Sequence, residues 1–215
     1  MTQARQAGLL YLIVIAAGFF ANGVVHADLV VIGDPAATAR SILASETLFR
    51  LGLAAQIAMY ACYCGVTATF YAMFRPGGAS LSLFASFLSL TGIAIGAVNV
   101  LADAGALSLL RTDPALAYAL LRIHGAGFSL ALVFFGSYLA VLGILILRSR
   151  VLPRVFGALL ILEGTCYFVF KIGFFVAPAL AARLPSDILL AASLAEVSLA
   201  LWLLVDFRSP APRAT

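Results

Sequence analysis

An all-α fold, a polytopic membrane bundle of six transmembrane helices with both termini cytoplasmic, is predicted by three features of this chain. Of its 215 residues 64% are hydrophobic and only 10% charged, with a mean hydropathy of +1.11; an ordinary soluble domain carries about 25% charged residues. The apolar runs last about 20 residues, the length of a bilayer-crossing helix. They also lack the period-2 alternation of a lipid-facing barrel. Such a chain needs lipid as solvent, and in lipid only helices or closed barrels satisfy the backbone.

Six runs are predicted to span, at about 8–27, 48–73, 80–104, 117–147, 155–176 and 187–205, within one domain covering residues 1–215. The first follows Arg5 and ends at "VHA", as a signal peptide would, but it is longer than a usual signal core and is read as a retained span. "GDPAATARSILASE" leads to the second run and "RPGG" closes it. The third holds Gly92 and Gly96, the fourth Ser129, Gly136 and Gly143 at seven-residue spacing, and small residues let membrane helices approach closely. "RTDP" joins the third to the fourth, "RSRVLPR" the fourth to the fifth, and "APALAARLPSD" the fifth to the sixth. Asp-Pro in "GDPAATA" and "TDPALAY" is helix-starting chemistry, with Pro at the first helical position.

Basic residues set the orientation, because cytoplasmic loops retain them. Arg5, Arg75, Arg148, Arg150, Arg154, Arg208 and Arg213 fall on one side with Asp206 as the sole acid. The other side mixes Arg40, Arg111 and Arg183 with Asp28, Asp34, Glu46, Asp113 and Asp187. The formal charge of +4 reflects this sorting and does not signal nucleic-acid binding. Cys62, Cys64 and Cys166 all lie at membrane depth and read as small apolar fillers.

Polar residues inside the runs are the candidates for function, since a charge at bilayer depth costs about 2.5–3.5 kcal/mol on insertion scales. Glu163, Tyr167 and Lys171 share one face of the fifth helix at i, i+4 and i+8. Glu196 on the antiparallel sixth helix falls between Glu163 and Lys171 in depth. It is expected to pair with Lys171, leaving Glu163 neutral and able to exchange a proton. A second group converges near the outer helix ends: Asn22 and His26, Glu46 and Arg50, Asn99 and Asp103, and Arg122 with His124. Gln56 lies on the bundle-facing stripe of Gly52, Tyr60 and Cys64. Together these would form an outward-facing polar pocket roofed by residues 28–45.

Two histidines and a carboxylate can also make a zinc site with an open position, here His26, His124 and Asp103. The imidazoles alone could ligate a haem. No compact signature such as H-E-x-x-H supports either, so no metal or cofactor is favoured. "HGAGFS" follows no strand and is not a dinucleotide fingerprint.

The segments "ARQAGLLYL", "GDPAATARSILASETLFRLG", "LLRIHG" and "RSRVLPRVFGALLILEGTCY" resemble the bacterial membrane family catalogued as domain of unknown function 4386. That resemblance covers nearly the whole chain; it implies a six-helix integral membrane protein and no activity. The residues themselves favour a bacterial inner-membrane protein that binds a small organic or amphipathic ligand as a carrier or sensor, with Glu163 and Glu196 as its deeper floor. A metal-dependent membrane hydrolase and a structural accessory subunit are the alternatives. Membrane lipid is the expected partner, and a homo-oligomer is compatible with this reading.

Overall fold

The computed structural model describes the backbone of residues 2–181 and 187–205, and the side chains of 2–179 and 194–205. The connecting residues Arg183, Asp206, Arg208 and Arg213, which entered the orientation argument, lie outside the described residues. All regular structure among the described residues is helical. Helix α1 (Gln3–Gly18) runs on through a π-helical segment (Phe19–His26) and a last turn (Ala27–Leu29). Then follow α2 (Pro35–Ala44), α3 (Glu46–Phe74), α4 (Ala79–Leu109), α5 (Pro114–Ser149), α6 (Arg154–Val176) and α7 (Asp187–Val205). Five helical stretches among the described residues are long and apolar enough to cross a membrane: Gln3–Leu29, Glu46–Gly77, Ala79–Leu109, Pro114–Ser149 and Arg154–Val176.

Local chemistry explains the boundaries. Asp34 accepts from the Ala37 N–H at 2.8 Å and Asp113 from the Leu116 N–H at 2.9 Å, each followed by Pro at the start of its helix. Both Asp-Pro pairs are thus N-caps, satisfying donors that a helix leaves unpaired. Gly33 adopts φ +83°, the left-handed region open to glycine, and so turns the chain into α2. Arg150 at φ 53° ends α5 just before Pro153.

Packing closes the long helices into a ring in the order α1, α3, α4, α5, α6, α7, with α7 returning to α1. The tightest junction is α5 against α6. A Cβ on Gly136 would sit 2.7 Å from the Gly164 carbonyl oxygen, and one on Gly143 would meet the Gly157 carbonyl; Gly157 and Gly164 face the same obstacle in return. Both pairs recur at seven-residue spacing, so the backbones touch along a seam two turns long, as membrane helices with small residues permit.

The 28–45 connection differs from a simple loop. Within it, α2 packs against α5 and buries Thr38, Ala39 and Ile42. Its registry is fixed by Thr38, whose hydroxyl accepts from the Val31 N–H at 3.0 Å and donates to the Val31 carbonyl at 3.1 Å. Above the main core, Val25, Leu29, Ile42, Phe49, Leu110 and Leu121 form a second apolar layer under α2. The roof is therefore a packed helix on hydrophobic side chains.

Candidate functional site

Beneath that layer the ring holds a polar one. Asp103 of α4, fully buried, is its centre. Its Oδ2 lies 2.8 Å from His26 Nε2, at the end of the π-helical segment, and accepts from Gln56 Nε2 of α3 at 3.0 Å. His124 Nδ1 of α5 is 3.1 Å from the same oxygen but out of line for a hydrogen bond. The two imidazoles stack, with centroids 4.5 Å apart and planes 16° apart. Asn99, one turn before Asp103, donates to the His124 carbonyl at 2.7 Å, lying over Gly127, where a Cβ would collide with it.

Sequence spacing alone could place the residues of α4 and α5. The π-helical segment adds what spacing could not. Such widened turns are uncommon and concentrate at functional sites, and this one carries Asn22 and His26. Asn22 donates to the Gly18 carbonyl of its own helix at 3.1 Å, so it steadies the widened turn and does not join Asp103.

Five of the nine residues expected in one pocket thus come together: His26, Gln56, Asn99, Asp103 and His124. The others do not. Glu46 and Arg50 bond to each other at 2.8 Å, with Arg111 3.5 Å from the second Glu46 oxygen, all near the surface. Arg122 is exposed. The residues that do meet are bonded to one another under a packed roof, unlike an open pocket.

One metal-compatible set exists among the described residues. The donor atoms of His26, Asp103 and His124 lie within 4.8 Å of one another. The surroundings fit a metal poorly. A ligating imidazole normally gives its second N–H to an acceptor, whereas His124 Nε2 is buried with no partner. Gln56 also occupies the carboxylate oxygen that faces both rings.

Deeper in the ring lies a second polar site. Glu196 of α7 accepts a hydrogen bond from the Tyr11 hydroxyl of α1. This corrects the expected Lys171–Glu196 pair: the ion pairs among the described residues involve only Asp103 and Glu46. Lys171 is half-buried, one turn beyond Tyr167 on α6. Helix α7 packs against both α1 and α6, and Glu196 finds its partner on the α1 side, at Tyr11. Glu163 is buried at 1% exposure, with its carboxyl within hydrogen-bonding reach of the Glu196 carboxyl. Its position follows from the adjacent Gly164, which presses this stretch of α6 onto α5.

Between the two polar sites is a cavity of about 280 Å³. Gly18, Phe19, Tyr60 and Phe128 line it toward the His–Asp layer; Tyr11, Tyr63, Tyr167 and Glu196 line it at the acidic end. Phe128 continues the ring stack begun by His26 and His124, lying 6.5 Å from His124 at 6°. Residue spacing singled out Tyr60 and Tyr167 of this lining but not its other aromatic rings. The available signal was the depth of Tyr11, Tyr63 and Tyr138, since membrane tyrosines gather at the interfaces and a buried hydroxyl needs a partner.

No curated protein matches the chain, and no solved structure does. A family profile described as a domain of unknown function, DUF4386, matches residues 6–206. That match takes in every long helix of the ring, both polar layers and the cavity between them, and the chain belongs to the DUF4386 family.

Proposed function

We propose that this chain is a bacterial inner-membrane protein of six crossing helices, α7 included, with both termini cytoplasmic, which takes a small organic or amphipathic ligand as a carrier or sensor. The cavity between the His–Asp layer and the Glu163–Glu196 pair carries this reading. Ligand sites are concave and mostly apolar, with a few convergent polar groups. Here aromatic rings supply the walls and a carboxyl the anchor. Arg75, Arg148, Arg150 and Arg154, at the ends away from α2, support the orientation.

Equilibrium dialysis against naphthylmethanol in detergent micelles tests the reading. Saturable binding near one molecule per chain is expected, lost on Leu132→Trp, which places an indole into the cavity wall. Undiminished saturable binding in that variant would remove the cavity from the proposal.

The clustering of His26, Asp103 and His124 favours one second reading, a metal-dependent membrane hydrolase. The orphaned His124 Nε2 weighs against it. Protein purified without chelators is expected to hold no stoichiometric zinc by elemental analysis. One zinc per chain, abolished by His26→Ala, would move the site to that second reading.

A further inference from the structure

We propose that the cavity's ligand is an organic cation, an ammonium group on an aromatic or aliphatic body, held by the carboxylate of Glu196. This rests on the cavity being a ligand site, and it assigns that site a chemical class.

The groups around Glu196 carry the inference. Its titratable neighbours are Tyr11 from α1, Tyr63 from α3, Tyr138 from α5, and Glu163 and Tyr167 from α6. Among the described residues no ion pair supplies either acid with a positive charge. Acidic residues within membrane spans pair with another group and mark substrate or ion pathways. Here Tyr11 donates to Glu196, and Glu163, 1% exposed, lies with its carboxyl against the same Glu196 carboxylate, so both acids are held by neutral groups.

The walls point the same way. Phe19, Tyr60, Tyr63, Phe128, Phe135 and Tyr167 present rings to the cavity, and the negative face of an aromatic ring attracts ammonium ions, most strongly where water is excluded. An anion would meet the Glu196 carboxyl and no base among the described residues that line the cavity. A neutral molecule would gain only apolar burial. The volume of about 280 Å³ is nearly twice the roughly 150 Å³ that takes a benzene, so a two-ring body with one ammonium fits.

Three naphthalene probes of matched shape test this: naphthylmethylammonium, naphthylmethanol and naphthoate, each by equilibrium dialysis on the full chain in micelles. The ammonium is expected to bind at least about tenfold tighter than the alcohol, and naphthoate not to bind saturably. Glu196→Gln should bring the ammonium down to the alcohol's affinity and leave the alcohol unchanged. Should that variant not fold, Glu196→Asp, which keeps the charge but withdraws it by one methylene, should likewise shrink the ammonium's advantage. An alcohol bound as tightly as the ammonium, or an advantage untouched by the Glu196 substitution, overturns the cation assignment while the cavity remains a ligand site. Failure of all three probes to bind saturably overturns both.

Discussion

Asp103→Ala is expected to destabilise the ring by about 2–4 kcal/mol, because Asp103 is the common partner of groups on three other helical stretches. A single interhelical hydrogen bond in lipid is worth only about 0.6 kcal/mol on average and up to about 1.7, since helices still inserted after unfolding find other partners. Asp103 exceeds that figure by number. His26, Gln56 and His124 all converge on one of its oxygens, and Gln56 and His124 are buried where water cannot replace the lost acceptor. Asp103→Asn keeps an oxygen for Gln56 and should cost less than half as much. Reversible unfolding in mixed micelles measures both. An alanine variant within about 0.5 kcal/mol of wild type, the range of an ordinary surface change, would mean that the polar layer does not hold these helices together.

The same network shows which parts of the molecule the sequence could disclose. Gln56, Asn99, Asp103 and His124 were legible because each is a polar residue in a regular apolar helix, where depth and face follow from spacing. The Asp34 and Asp113 caps were legible because capping is a local rule, read within four residues. His26 was identified, but not the widening of Phe19–His26 that presents it; a π-helical turn arises from how the segment packs, not from any residue type within it. Glu196 was identified with the wrong partner. Depth placed Glu196 between Glu163 and Lys171, and α7 packs against both α1 and α6; spacing could not show that Glu196 meets Tyr11 on the α1 side. The cavity was missed for the same reason, because its lining comes from α1, α3, α5, α6 and α7 at once. Helix α2, at ten residues, is too short for apolar length to disclose, and only Asp34-Pro35 announces its start.

The largest loss is expected from Gly164→Val, at or above the upper end of the roughly 1–3 kcal/mol that overpacking ordinarily costs. Most overpacked sites relax by moving a side chain. Here a Cβ meets the Gly136 carbonyl oxygen and the Ala140 backbone nitrogen, which can retreat only if α5 and α6 part. Gly125→Ala is the control: nothing lies within 4 Å of a Cβ there, so the change should be neutral or slightly stabilising through helix propensity. Because Gly136 and Gly164 obstruct each other, Gly136→Ala and Gly164→Ala should be strongly non-additive. Once either methyl has separated the helices, the second finds the space already open, and the double variant should cost little more than the worse single one. The separation should also draw Glu163 away from Glu196, since Glu163 precedes Gly164 on the same turn. A double variant whose loss equals the sum of the singles would show that each contact relaxes independently, and the close seam could then not be what sets the position of Glu163.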